Sequence, residues 1–257
     1  MRLAIALVLT FAGAAHAGPA EEERATALAQ ARKEGEDAER RGDHAACAAA
    51  YLRAFDIDSR QMGDDLLYNA GVCFEEDADV ERALDAWRRL DRGFPRSRLR
   101  PRAMVRRANI LARVARYEEA ASALEEHAQL YGGEKDAREA MSEAALYRRA
   151  LGQHRQAIDL TRRWLKTWKH TPVEEAQALL FVAAVQDDMG DRRAAIASLE
   201  SAARLATRDR ELSGWIRARL AALKSPPPRP AASPALPEHY DRRGMAGDPV
   251  VSAPLAE

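Results

Sequence analysis

Small residues return at a near-constant interval along the middle of the chain. Cys47, Ala83, Ala120, Ala157 and Ala195 are separated by 36, 37, 37 and 38 residues. Four residues after each come Tyr51, Trp87, Leu124, Thr161 and Leu199, and three further on Ala54, Leu90, His127, Trp164 and Ala202. Twelve residues before each small position stand Gly35, Gly71, Ala108, Ala145 and Ala183. Steps of four and three keep side chains on one stripe of a helix. The twelve-residue offset, with Gly42, Gly152 and Gly190 between the stripes, predicts two helices joined by a tight turn. Five such hairpins follow one another. One hairpin cannot bury its apolar face alone, so stacking on the next supplies the core. Leu212, Trp215, Ile216, Leu220 and Leu223 predict a last helix over 211–224 that covers the fifth hairpin. Residues 21–41, fairly polar, predict an opening helix with one face in water.

Both ends of the chain break the pattern. Arg2 precedes an apolar run from Leu3 to Ala15, and Ala15-His16-Ala17 fits the small-x-small rule for signal peptidase. The run is shorter than the ~20 residues of a bilayer span, and Glu21, Glu22 and Glu23 follow at once. Residues 1–17 therefore read as a cleaved signal peptide and Gly18 as the first residue of an exported, periplasmic protein. No later segment is long and apolar enough to cross a membrane. At the other end, eight of the 12 prolines lie between Pro226 and Pro254. Residues 225–257 therefore read as a disordered, Pro-rich tail.

Composition agrees with helices and removes several function classes. Of 257 residues 47% are hydrophobic and only 6% aromatic, with 14 Gly and few β-branched residues. Forty basic side chains against 40 acidic ones exclude a generally basic nucleic-acid binder. The balance is segregated, however. Residues 56–85 carry ten carboxylates and two arginines, whereas 88–116 carry eleven arginines and Asp91 alone. Stacked hairpins would present these blocks as bands that neutralise one another. No HExxH, P-loop, GxSxG or GxGxxG is present, and no histidine pair has metal-ligand spacing. The sequence thus reads as a non-enzyme without cofactor or metal. Cys47 and Cys73 fall in adjacent hairpins, where a bridge is sterically open. Two buried free thiols are the favoured reading, because Cys47 occupies an Ala-sized position.

The repeat resembles the tetratricopeptide family, whose unit has small residues on both helices and a large residue four after the second. The best copy is Leu67-Tyr68-Asn69-Ala70-Gly71-Val72-Cys73-Phe74 followed by Ala83, Trp87 and Phe94-Pro95. The resemblance covers about residues 28–210, with a spacing longer than the family's 34. Arg148 and Gln186 depart from it, standing where the family prefers a large apolar residue. It implies an all-α, right-handed solenoid of about five hairpins plus a C-terminal capping helix, filling residues 18–224. It also implies a non-catalytic scaffold that binds protein or peptide partners along a concave groove, in an envelope complex for assembly, cell-wall work, secretion or motility. First helices line that groove. In the third hairpin the lining positions include Arg102, Arg106, Asn109 and Arg113, in the second Tyr68 and Asn69, and in the first Arg32. These resemble a carboxylate clamp for an acidic ligand, with Glu36 where the clamp has Asn. An alternative is a binder of anionic envelope polymers or lipid headgroups through the same Arg-rich face.

Overall fold

The computed structural model describes residues 18–225. The signal-like segment 1–17 and the Pro-rich segment 226–257 lie outside the described residues. Eleven helices occupy the described residues: α1 Pro19–Arg41, α2 His44–Ile57, α3 Ser59–Glu76, α4 Val80–Gly93, α5 Arg100–Arg113, α6 Tyr117–Leu130, α7 Ala137–Ala150, α8 His154–Thr167, α9 Pro172–Asp188, α10 Arg192–Leu205 and α11 Arg210–Lys224. Each packs on its neighbours in sequence, and α3 also touches α5. The arrangement is an α-solenoid of five hairpins, α1/α2 to α9/α10, closed by α11.

The five hairpin turns share one geometry. Gly42, Ala78, Ala115, Gly152 and Gly190 all take positive φ, between 60° and 76°. The residue after each donates its N–H back five residues, from Asp43 to Ala38, Asp79 to Phe74, Arg116 to Leu111, Gln153 to Arg148 and Asp191 to Gln186. Such bonds satisfy carbonyls that the ending helix leaves free. Asp43, Asp79 and Asp191 then cap the next helix through their side chains. Glycine accepts positive φ without a Cβ clash, whereas alanine does not. Ala115→Gly should therefore raise stability by up to about 1 kcal/mol, the relieved strain exceeding the added freedom of the unfolded chain. Equal or lower urea midpoints for the variant would contradict this.

Close approach explains the small positions. A Cβ at Gly71 would fall inside the Trp87 indole, and one at Gly35 would lie 3.1 Å from the Tyr51 ring. Cys47, Ala83, Ala120, Ala157 and Ala195 are all fully buried. The two departures from the family pattern are accommodated by polar partners. Arg148 is buried and donates to Glu125 Oε1 at 2.6 Å, Glu118 Oε1 at 3.2 Å, Ser122 Oγ at 3.0 Å and Gln153 Oε1 at 2.7 Å. A guanidinium out of water needs such satisfaction, and its α6 partners tie the third hairpin to the fourth. Gln186 accepts from Ser198 Oγ at 2.7 Å within the fifth.

The cysteines correct the favoured reading of free thiols. Cys47 and Cys73 form a disulfide, with Cα atoms 5.9 Å apart, inside the bridging range of about 4.4–6.8 Å. Cys47 on α2 reaches α3 of the next hairpin, where Cys73 lies. The close approach that buries both residues also brings their sulfurs together.

The charge blocks meet across the junctions. Asp91 on α4 holds Arg100 at 2.6 Å and Arg107 at 3.4 Å on α5. Glu81 pairs with Arg116, Arg149 with Asp188, and Asp187 with Arg219 on α11. Most such pairs are half-exposed and worth ~0–1 kcal/mol each. The Asp91 cluster is better shielded, its side chains all under a fifth exposed.

Candidate interaction surface

The predicted groove residues fall on the odd-numbered helices, and Glu75 organises part of them. Arg106 Nη1 donates to Glu75 Oε2 at 2.6 Å, and Arg113 Nη1 to Glu75 Oε1 at 3.2 Å. Partial burial works against the Arg106 charge, but Glu75 and Tyr68 outweigh it and hold the guanidinium above the usual arginine value. Arg32 turns to the α3 break and donates to Met62 Sδ at 3.2 Å. Asn69 is half-buried, while Arg102 and Asn109 stand exposed. The structure thus brings Arg106 and Arg113 of α5 onto the Glu75 carboxylate of the preceding hairpin, with Tyr68 of that hairpin also beside Arg106. Arg32 points elsewhere.

A second region of the same face, in the fourth and fifth hairpins, has a different character. A cleft of about 270 Å³ lies between α7 and α9, with α8 as its floor. Leu146, Trp164, Phe181, Ala145 and Ala178 give it an apolar lining, with Ser142, Gln177 and Glu174 at the edges. It runs into a shallower depression bounded by Arg138, Glu139 and Glu143. Leu146 on α7 is 52% exposed, and Trp215 on α11 is 56% exposed. No reading of the sequence singled out this cleft. Its signal is apolar side chains at groove-facing positions: Leu146 is the counterpart of Asn109, one hairpin on.

The floor of the cleft is held by a polar network. Trp164 Nε1 donates to the Arg138 carbonyl at 3.0 Å, and the Arg138 guanidinium lies 4.7 Å from the Trp164 ring centre. The His170 ring stacks on Trp164 at 3.8 Å. Arg138 Nη2 sits 3.0 Å from His170 Nδ1, and an arginine only donates, so Nδ1 accepts. The proton then resides on Nε2, which donates to the Trp164 carbonyl at 3.0 Å. Arg138 also donates to Glu174 Oε1 at 2.6 Å.

Glu174 begins α9 in a reciprocal cap. Thr171 N donates to Glu174 Oε2 at 2.7 Å, and Glu174 N to Thr171 Oγ1 at 3.3 Å. The Thr171 backbone and hydroxyl, then Arg138, hold the Glu174 carboxyl down to about 2 against an ordinary 4.5. A folded-state value below the unfolded one stabilises fully above pH 4.5 and fades as pH falls from there toward 2. Glu174→Gln keeps a capping acceptor and loses the charge. Its melting temperature should therefore fall less between neutral pH and pH 3 than that of the wild type. Parallel pH dependences would contradict the assignment.

Among the described residues no group of three His, Cys, Asp or Glu side chains could hold a metal. The fully buried His127 places Nε2 3.1 Å from Asp136 Oδ1, where it joins the end of α6 to the start of α7. No helix among the described residues is long and apolar enough to cross a membrane.

Neither a protein-family model nor a curated protein matches the chain. Solved structures do. A crystal structure of MamA aligns with TM-score 0.50 and 14% identity, covering 73% of this chain and 96% of that one. MamA from residue 41 onward of Desulfovibrio magneticus RS-1 gives 0.46 and 15%, with 72% and 97% covered. Pseudomonas aeruginosa PilF gives 0.40 and 20%, with 79% and 94% covered. At these identities the likeness speaks of fold alone. Together with the five equivalent turns and small positions, the first MamA alignment gives the chain a tetratricopeptide-type solenoid fold.

Proposed function

We propose that this protein is an exported, non-catalytic scaffold that holds a partner protein on its odd-helix face, within a multiprotein complex of the cell envelope. The observation that carries the reading is the open apolar cleft at Leu146, Trp164 and Phe181, on the side where groove-lining positions fall. A monomer gains nothing from leaving Leu146 in water, whereas a partner side chain there removes apolar area from water at ~25 cal/mol per Å². The signal-like N-terminus supports export to the periplasm. Two measurements test the reading. Protein purified from the envelope fraction should begin at Gly18, and a start at Met1 or recovery in the cytosol would overturn export. Affinity capture after crosslinking intact cells should recover a partner that Leu146→Glu loses. Capture unaffected by that change would move the binding surface elsewhere.

Binding of anionic polymers or headgroups through the Arg-rich block draws less support from the structure. Arg100 and Arg107 share Asp91, Arg106 and Arg113 share Glu75, and Arg116 faces Glu81 and Glu119. Retention on heparin that is lost above ~0.3 M salt, where the Debye length falls to ~5–6 Å, would favour it.

A further inference from the structure

The cleft in the fourth and fifth hairpins has a charge pattern opposite to that of the Arg-rich third hairpin. Glu139, Ser142, Glu143 and Leu146 lie on one face of α7, at steps of three, one and three. Around the cleft and its adjoining depression, Glu139, Glu143 and Glu174 face a single cation, Arg138. Arg138 is already committed, since it donates to Glu174 and covers the Trp164 ring. Glu143 accepts from the Tyr147 hydroxyl at 2.5 Å, a neutral donor that leaves the carboxylate charge in place. Burial, then Glu143 itself, pushes the Tyr147 phenol well above its ordinary value, so it stays neutral. Glu139 is exposed and has no ion-pair partner among the described residues. The rim therefore carries two uncompensated negative charges beside an apolar floor.

We propose that this cleft takes a peptide segment in which a bulky apolar side chain stands one to three residues from a lysine or arginine. The proposal rests on the reading that the odd-helix face holds a partner, and names the chemistry it selects. A volume of about 270 Å³ accommodates a leucine-to-tryptophan side chain; apolar cavities of about 150 Å³ already admit benzene. Glu143 precedes Leu146 by three residues and Glu139 by seven, so their Cα atoms stand ~4.5 and ~10.5 Å from it along the helix. An extended peptide advances ~3.3 Å per residue, which brings a cation one to three residues from the anchor over this acidic edge. An acidic segment meets repulsion here and is rejected.

Selection from a phage-displayed random dodecapeptide library on the mature chain tests this. The expected consensus pairs Leu, Phe or Trp with Lys or Arg within three residues. Labelled peptides of that consensus should lose at least tenfold in affinity for Leu146→Glu. The double variant Glu139→Lys/Glu143→Lys should weaken them similarly and favour versions whose basic residue is glutamate. All three positions are at least partly exposed, and circular dichroism confirms that the variants remain folded. An acidic or uncharged consensus, no enrichment, or affinities indifferent to both variants would overturn the proposal. A partner captured from cells through Leu146 but carrying an acidic segment would sink this inference and leave the scaffold reading standing. The expected consensus without any cellular partner would do the reverse.

Discussion

Truncating Trp87 to alanine is expected to remove about 3–5 kcal/mol of stability, the cost of emptying a buried aromatic site. The indole is fully buried and lies over Gly71 of the preceding helix, where no Cβ fits. Gly71→Ala forces that ring aside and should cost about 1–3 kcal/mol through overpacking, less what alanine gains as a helix former. The two effects are coupled. In a Trp87→Ala background the alanine at 71 meets no ring, so the second change should become neutral or stabilising by up to about 1 kcal/mol. Urea unfolding of the four proteins measures the cycle. Additive losses would mean that the Gly71–Trp87 approach is not what requires glycine. The repeated Gly, Ala and aromatic positions would then need another cause.

Loss of the Cys47–Cys73 bridge is the second large effect. The bridge closes 26 residues of chain, for which the chain-entropy relation gives about 3.5 kcal/mol. Cys47→Ala/Cys73→Ala is the informative variant, because alanine already fills the equivalent small position in the other four hairpins. In a solenoid each unit touches only its neighbours, so the loss should concentrate in α1 to α4. Hydrogen exchange should accelerate there and stay unchanged from α7 onward. Identical melts with and without reductant, together with unchanged exchange in α1 to α4, would contradict this.

The repeat was legible because it obeys sterics that leave a mark in the residues. Small residues recur where two backbones approach, and a large one follows four later to fill the seam. That pattern predicts five hairpins and a closing helix, as the structure has them. Turns were legible where glycine marks them. Ala78 and Ala115 take the same left-handed conformation without that mark, held there by the bonds that close the preceding helix. Arg148 reads in sequence as a breach of pattern, since its partners Glu118, Ser122 and Glu125 belong to another hairpin. The disulfide is illegible in the sequence for a related reason. Which helix the Cys47 side chain faces depends on how hairpins stack, and spacing alone does not give that. For the interaction surface, sequence patterning emphasises the conspicuous arginines, whereas Glu75 engages two of them. The apolar cleft was hidden because Leu146, Trp164 and Phe181 come from three helices and only packing unites them.

The scaffold reading is tested most directly by placing a photo-crosslinking amino acid at Leu146 and, separately, at Asp159. The first position lines the cleft, and the second is exposed on α8 and absent from the cleft lining. After irradiation of intact cells, the account predicts a discrete adduct with a partner protein from position 146 and none from position 159. Equal adducts from both positions, or none from position 146, would contradict it.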